Sequence, residues 1–365
     1  MERLGRIMVI AAIYIGTVVG AGFASGQEIW YFFSRFQQRG LWGLLCSTLV
    51  FAILGVKAIE WGRRIKAQSY RELFYSLVGK GYGCFCDGMI TLFLFLLIGI
   101  MLAGAGAVTN ALGWGGRLGV TSALLLTVLV LLKPLTGLKR VNAFVVPLLC
   151  LTGLLLNLKG QRVLLPLAPG GPATGNWLVA ALQYSAYNLV LALPVLVNLY
   201  RLEPDPTVLK WGGIAGGCVL GMLAFFFYTV LTNYDFSGID LPVLFLTGNW
   251  RWGWPFFYSL VLWGELFTSL VANAYGLISR FHLDKTRFYG LKVFLLMVLA
   301  AFISQLGFAR LIKKIYPFYG YFAFTLLLPL LIRPLPPSKE GREIYRKRHF
   351  FDRAVLDIKK RKTLL

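Results

Sequence analysis

The stretch "IYIGTVVGAGFASGQE", residues 13–28, lies inside the first hydrophobic segment of the chain. It contains glycine at positions 16, 20, 22 and 26 and ends in the polar pair Gln27 and Glu28. Glycine in a helix costs about 1 kcal/mol relative to alanine. Two explanations compete for so many glycines. Small residues allow helices to pack closely, and a break in a helix leaves bare backbone that can bind a ligand.

The composition identifies the broad class. The 365 residues are 58% hydrophobic and 14% charged, with a mean hydropathy of +0.69. The apolar residues form runs of about twenty, which is typical of a polytopic membrane protein. The formal net charge is +22, but the basic residues concentrate in short loops and after Ile332. That is the positive-inside pattern rather than a nucleic-acid-binding face, so we expect no nucleic acid partner.

Ten apolar segments define the predicted topology. They cover about residues 7–33, 40–62, 86–112, 117–133, 139–158, 177–200, 208–232, 254–279, 287–306 and 311–332. Most Lys and Arg residues then fall on the side of the N-terminus, and an even number of spans returns the C-terminus to that side. We therefore expect a multi-pass protein of the bacterial inner membrane with both termini in the cytoplasm.

The Pro/Gly-rich stretch "LPLAPGGPATGN", residues 165–176, divides the spans into two sets of five. We expect a first repeat at 1–158, a linker at 159–176, a second repeat at 177–332 and a basic cytoplasmic tail at 333–365. Five is odd, so similar halves would have inverted topology, and the first helix of each half would be broken. Segment six agrees, because "LQYSAYNLVLALP" has a polar centre followed by Pro194. The predicted fold class is all-α, a 5+5 inverted repeat with helices one and six broken.

Segment eight offers oxygen ligands for a cation. In "WGELFTSLVANAYG", Glu265, Thr268 and Ser269 share one helix face at i, i+3 and i+4. Glu265 is costly in lipid and should face the interior, either to couple proton movement or as a hydrogen-bonded structural carboxylate. The two hydroxyls either bind an ion or hydrogen-bond to their own helix.

Two other residues leave alternatives open, and the tail has one expected role. Glu28 near the outer end of segment one is either hydrated or paired with an Arg, or it belongs to an outer gate. Asn188 contacts the solute or joins neighbouring helices. The basic tail, with interleaved apolar residues such as Phe350 and Phe351, is expected to lie against anionic lipids of the inner leaflet.

The motif "GTVVGAGF" resembles the unwound first helix of the amino acid–polyamine–organocation (APC) superfamily, which has the LeuT-type fold. More narrowly, "GTVVGAGFASGQE" with "YNLVLALPVL" is similar to the YkvI-like family of bacterial membrane proteins, regarded as amino-acid permeases. The resemblance covers about residues 6–332. It implies a secondary transporter of a small amino-acid-like solute that works by alternating access with Na⁺ symport. It also implies that the stretch between segments seven and eight, "YDFSGIDLPVLFLTGNW", caps the outer vestibule.

The resemblance also implies site residues, matched by position. The Na⁺ ligands would be the carbonyls of Gly16, Val19 and Glu265 with the hydroxyls of Thr268 and Ser269. The solute carboxylate would face the N–H groups of Ala21 and Gly22, and its remainder would lie among Tyr184, Ser185 and Asn188. The second sodium site of some relatives uses an Asn where this chain has Phe23, so we expect one sodium site.

Three alternatives to this function remain. The first is a proton-coupled transporter that uses Glu265. The second is a non-transporting, permease-like subunit of a spore-germination receptor. The third is a membrane enzyme, which we do not expect, because the two histidines, His282 and His349, lie at predicted cytoplasmic edges and no catalytic cluster is visible.

Overall fold

A computed structural model describes residues 2–132, 148, 151–155, 175–232, 234–248, 253–281, 283 and 287–337. Most of predicted segment five, of the linker and of the basic tail lie outside these residues. The α-helices of the described part are α1 Glu2–Val18, α2 Ala21–Ala24, α3 Gln27–Phe32, α4 Gln38–Ile65, α5 Tyr70–Val78, α6 Lys80–Ala111, α7 Gly116–Leu131, α8 Trp177–Leu196, α9 Pro206–Leu231, α10 Pro242–Thr247, α11 Trp254–Arg280, α12 Tyr289–Ser304 and α13 Phe308–Ile332. Short 3₁₀ turns occupy Ser34–Phe36 and Leu199–Arg201.

These helices match the predicted segments one to four and six to ten. Six of them, α4, α6, α8 extended to Arg201, α9, α11 and α13, are long and apolar enough to cross a membrane, and α7 and α12 are shorter apolar helices. The sequence analysis missed α5, which connects α4 to α6. Its buried side chains, Leu73, Phe74 and Leu77, recur at helical spacing, but the helix is too short and too polar to resemble a span.

The helices α1, α4, α8 and α9 pack together, and we call them the bundle group. Glycines of α9 make this close packing possible. A Cβ at Gly216 would lie 2.7 Å from Cδ1 of Tyr14 on α1, and a Cβ at Gly217 would lie 2.6 Å from the backbone nitrogen of Ala52 on α4. Larger side chains on this face of α9 would push the three helices apart.

The helices α6, α7, α11 and α12 form a second packed set, which we call the scaffold group. Helix α13 contacts both groups, through α8 of the bundle and α6 of the scaffold. The bundle group corresponds to predicted segments one, two, six and seven, and the scaffold group to segments three, four, eight and nine. The sequence therefore divides into two helix groups in the order that a five-plus-five repeat requires.

The first helix is broken, as predicted from its glycines. Helix α1 ends at Val18, and Gly20 is extended, with φ −131° and ψ −172°, before α2 begins at Ala21. A second interruption follows at Gly26, whose φ of +79° lies in the left-handed region that favours glycine. Helix α3 then starts at Gln27. The polar residues at the end of the quoted stretch thus belong to a separate short helix.

Helix six differs from the prediction in where it is interrupted. The polar centre of the segment is continuous helix, because α8 runs unbroken from Trp177 to Leu196, and the interruption comes only at residues 197–198. The polar side chains do not open the helix, since they bond to it: the Ser185 hydroxyl donates to the Ala181 carbonyl at 2.8 Å and the Asn188 amide to the Tyr184 carbonyl at 3.1 Å. Such i−4 bonds satisfy a polar side chain within a helix.

Candidate functional site

The break in the first helix leaves backbone groups outside the helical ladders. The last bond of α1 runs from the Val19 amide to the Ile15 carbonyl at 2.8 Å, and the first of α2 runs from the Ala24 amide to the Gly20 carbonyl at 2.9 Å. The carbonyls just before the break and the amides of Ala21 and Gly22 therefore have no intrahelical partner. Within the described chain, no atom lies within 4 Å of a Cβ built at residue 16 or residue 20. In the described part of the chain, Gly16 and Gly20 therefore leave open space beside the break and do not serve close packing.

Glu28 lies against this break. Its side chain is buried, 5% exposed, and folds over Gly22, where an added Cβ would lie 2.6 Å from the Glu28 Cδ atom. The left-handed turn at Gly26 aims the first turn of α3 inward, which explains this placement. The Tyr187 hydroxyl donates to Glu28 Oε2 at 2.7 Å. The interpretation of Glu28 as hydrated or Arg-paired is therefore wrong.

Three aromatic rings pack around Tyr187, which binds this carboxylate, and together with Tyr187 we call them the aromatic cage: Phe32, Tyr184 and Tyr316. The Tyr187 ring centroid lies 5.7 Å from Phe32, 5.7 Å from Tyr184 and 4.9 Å from Tyr316. Tyr184 was predicted from the sequence as a site residue, but Tyr187 was not. The two tyrosines are three residues apart on one helix face, which is the signal that could have found it.

The residues of α8 predicted to contact the solute separate into two kinds. Tyr184 belongs to the aromatic cage and also packs on Phe33 and Phe51, at ring distances of 4.8 and 5.9 Å. Ser185 and Asn188 are buried, but they bond to carbonyls of their own helix. The structure thus brings only Tyr184 of these three together with Glu28.

The predicted cation ligands of α11 lie together. Glu265 is 1% exposed, its Oε1 accepts a hydrogen bond from the Ser269 hydroxyl at 3.5 Å, and its carbonyl accepts one from Thr268 at 3.1 Å. Glu265 Oε2 has no hydrogen-bond partner among the described residues. The structure records no hydrogen bond from these side chains to Gly16 or Val19 within the described chain. The hydroxyls of Thr268 and Ser269 thus bond to groups of their own helix, and no direct contact with the α1 carbonyls is recorded among the described residues; the sodium site stays a prediction.

A hydrogen bond fixes the depth of Glu265 relative to the break. The Tyr258 hydroxyl of α11 donates to the Ala24 carbonyl of α2 at 2.6 Å. Glu265 is seven residues further along, which is two helical turns or about 10 Å on the same face. Since α2 spans only four residues, or about 6 Å, between the break and Ala24, Glu265 lies within about one helical turn of the depth of the break.

Gln27 is a further polar group at this site. Its side chain is fully buried, and neither atom of its amide has a hydrogen-bond partner in the described part of the chain. Buried amides are normally satisfied. The sequence assigned Gln27 no role, because a polar residue at the end of an apolar segment usually faces water.

The stretch between segments seven and eight covers the outer side of the break. Its helix α10 packs against α3 and α11, and the Val243 amide donates to the Ser25 carbonyl at 3.0 Å. The described part of this stretch thus packs beside the interruption at Gly26, and its role as a cap over the outer vestibule stays a prediction.

Solved structures with the same architecture define the class of fold. The chain is similar to Mhp1 in an inward-facing conformation, with a TM-score of 0.59 and 14% identity over 87% of this chain and 73% of that one. It is also similar to Mhp1, described as a nucleobase-cation-symport-1 family transporter, in a closed conformation with bromovinylhydantoin bound (TM-score 0.56, 14% identity, 89% and 76% covered). A manganese transporter of Eremococcus coleocola has a TM-score of 0.54 and 13% identity, with 90% and 78% covered. The fold is thus of the LeuT type.

Sequence relatives identify the family. The membrane protein YkvI of Bacillus subtilis (strain 168), itself uncharacterized, is 33% identical over 346 residues, which cover 92% of this chain and 98% of YkvI. YyaD of the same organism, also uncharacterized, is 24% identical over 342 residues, which cover 88% and 95%. No family model matches the chain. The chain belongs to the family of YkvI.

Proposed function

We propose that this protein is a cation-coupled secondary transporter that moves a small amino-acid-like solute across the bacterial inner membrane by alternating access. Both termini would lie in the cytoplasm, and no catalytic role is assigned to any residue. One observation carries the proposal. Two carboxylates are buried near the broken first helix, Glu28 against Gly22 and Glu265 on the neighbouring α11, and neither forms an ion pair with a basic side chain among the described residues.

A buried carboxylate without a counter-charge is strongly unfavourable as an anion. It is stabilised by a proton, by a metal cation or by a cationic group of a solute. Sodium is our first choice for Glu265 and its neighbours, with ligands from the Gly16 and Val19 carbonyls, the Glu265 carbonyl and the hydroxyls of Thr268 and Ser269. The unpartnered Oε2 atom of Glu265 favours a second candidate, proton coupling through this side chain.

The solute would bind at the break itself. Its carboxylate would accept hydrogen bonds from the amides of Ala21 and Gly22, because the start of a helix favours negative charge. Tyr184, Ser185 and Asn188 would surround the remainder. The Glu28 carboxylate beside Gly22 would repel a solute that carried only negative charge, so it favours one that also carries an amine. This combination describes an amino acid, as the APC resemblance implies.

Two further parts of the proposal concern movement and lipids. Helices of the bundle group would rock as one body against the scaffold group, which supplies the two access states of a LeuT-type transporter. The basic tail would bind anionic lipids at the cytoplasmic surface, since clustered Lys and Arg residues attract acidic headgroups.

The test is uptake into proteoliposomes that contain the purified full-length protein. A panel of radiolabelled amino acids is offered with an inward sodium gradient, with choline in place of sodium, and with an inward proton gradient. Sodium-dependent uptake that is lost in the double variant Thr268→Ala/Ser269→Ala supports sodium symport. Proton-dependent uptake that is lost in Glu265→Gln supports the second candidate.

The exposed Glu72 supplies a matched control, because Glu72→Gln removes the same charge outside the site. It should transport like the wild type. Binding of an amino acid without any flux would instead indicate a sensor. If no amino acid of the panel shows binding or flux, the amino-acid assignment is overturned.

A further inference from the structure

A cavity of about 250 Å³ opens at the end of the molecule opposite the N-terminus. We call it the outer cavity. Trp30 and Tyr31 of α3, Arg35 of the following 3₁₀ turn, Asp235 of the loop after α9 and Lys313 of α13 contribute to its walls. Its lining therefore combines aromatic rings with charged groups from three separate parts of the chain.

The two cations of the outer cavity rest on aromatic rings rather than on carboxylates. The guanidinium carbon of Arg35 lies 3.8 Å from the ring centroid of Tyr31, and the Lys313 ammonium lies 5.1 Å from that of Trp30. Neither cation has a carboxylate partner within 4.0 Å in the described part of the chain. Stacking on rings leaves hydrogen-bond donors of both groups available to an anion.

The acidic groups nearby are engaged with backbone amides. Asp235 accepts a hydrogen bond from the Ser237 amide at 2.8 Å, and Asp240 accepts one from the Ala309 amide at 2.8 Å. Asp235 is the single carboxylate among the lining residues, against two cations. The cavity is therefore net positive, and it also carries one acid that could meet an amine.

The outer cavity lies next to the aromatic cage. On α3, Tyr31 follows Glu28 by three residues, and on α13, Lys313 precedes Tyr316 by three residues. Two helices that contribute to the cage thus also contribute to the cavity, about one turn or 5 Å further out. A solute that reaches the broken helix from this end passes the two cations first.

We infer that the outer cavity is an entry site for a small solute that bears a carboxylate, held between Arg35 and Lys313. The planar guanidinium matches a carboxylate, the rings pack against the aliphatic part, and Asp235 faces an amine if the solute has one. This solute class agrees with the proposed function, but the entry site uses different residues and does not depend on it.

The test measures binding of three small probes to the full-length protein in detergent by saturation-transfer-difference NMR, which detects weak ligands. The probes are propionate, alanine and ethylamine, which share an ethyl or ethylidene unit and carry a carboxylate, both groups or an amine. The wild type should bind propionate and alanine but not ethylamine. The double variant Arg35→Gln/Lys313→Gln should bind propionate roughly tenfold more weakly, because charge-assisted hydrogen bonds are lost.

The chain offers a close control for this double variant. Arg39→Gln/Lys314→Gln removes two exposed cations from the same two regions and leaves the outer cavity unchanged; it should bind propionate like the wild type. Asp235→Asn should strengthen propionate binding relative to alanine.

Three outcomes overturn the inference: no propionate binding to the wild type, an unchanged affinity in Arg35→Gln/Lys313→Gln, or an equal loss in the control. Alanine binding that survives in Arg35→Gln/Lys313→Gln without any propionate site would refute the entry site and leave the proposed function standing. Propionate binding to the outer cavity with no amino-acid transport would support the entry site and refute the proposed function.

Discussion

The bundle and scaffold groups are each tied internally by charges, and the interface between them is not. In the bundle group, Arg6 of α1 pairs with Glu203 after α8 at 3.0 Å. In the scaffold group, Asp87 of α6 pairs with Arg280 of α11 and also holds Arg71 of α5 at 3.0 Å. No ion pair of the described residues joins the two groups. Charge pairs thus hold each set of helices together, whereas no ion pair of the described residues holds one set to the other.

The largest effect in this comparison is expected at Asp87. Arg280 is only 9% exposed and Asp87 17%, so Asp87→Asn leaves a nearly buried guanidinium without its carboxylate. We expect unfolding to become easier by about 2–3 kcal/mol, somewhat below the cost of breaking a fully buried pair. Thermal unfolding of the purified protein measures the change.

The matched variant in the bundle group is Glu203→Gln. Its partner Arg6 is 45% exposed and remains hydrated. The free energy of unfolding should therefore fall by less than about 1 kcal/mol. Equal losses in the two variants would contradict the view that the scaffold group holds the more deeply buried charge network.

The second prediction concerns the break at the interface. A Cβ at Gly22 would overlap the Glu28 carboxylate, which must then leave Tyr187. We expect Gly22→Ala to destabilise the protein by about 1–3 kcal/mol, the usual cost of overpacking a filled site. Solute binding should weaken as well.

Gly16→Ala is the natural comparison for this variant, since no described atom lies within 4 Å of the added Cβ. Alanine there should raise stability slightly, by up to about 1 kcal/mol, because it favours the helix. A loss in Gly16→Ala as large as in Gly22→Ala would show that close packing, rather than the carboxylate, explains the glycines.

A third prediction removes one neutral contact between the scaffold group and α2, the short helix after the break. The buried Tyr258 hydroxyl donates to the Ala24 carbonyl, and Tyr258→Phe deletes only that bond. We expect a loss of about 1 kcal/mol in stability and faster hydrogen–deuterium exchange in α2, because this bond ties α2 to α11. Unchanged exchange in α2 would show that the bond does not hold α2 in place.

Much of the fold could be predicted from the sequence, because lipid imposes strong rules. Apolar runs near twenty residues located the spans, and the glycines before Ala21 located the first break. Helix six shows where the reasoning fails. A polar centre signals a break only when its side chains cannot bond to their own helix, and Ser185 and Asn188 do so.

The candidate site was predicted less completely than the fold. Glu265, Thr268 and Ser269 could be selected from the sequence because their spacing places them on one helix face. The burial of Glu28 against the break could not be predicted, because its direction depends on the positive φ of Gly26, and a glycine in sequence does not reveal which conformation it adopts. Tyr187 was missed, since a tyrosine in an apolar segment gives no sign of a carboxylate that arrives from another helix.

The smallest effect is expected at the start of α9, outside the membrane-spanning segment. The Thr207 amide donates to the Asp205 carboxylate at 2.8 Å and lowers the pKa of this N-cap residue, with help from Arg3. A lowered folded-state pKa means that the cap stabilises the protein above the ordinary pKa of aspartate and that this stability is lost as the pH falls through the folded value. Asp205→Asn keeps a good N-cap without the titration. Its melting temperature should therefore fall less than that of the wild type below about pH 4. If the melting temperature of Asp205→Asn falls with pH as steeply as that of the wild type, the charge of this N-cap does not help to hold the bundle group together.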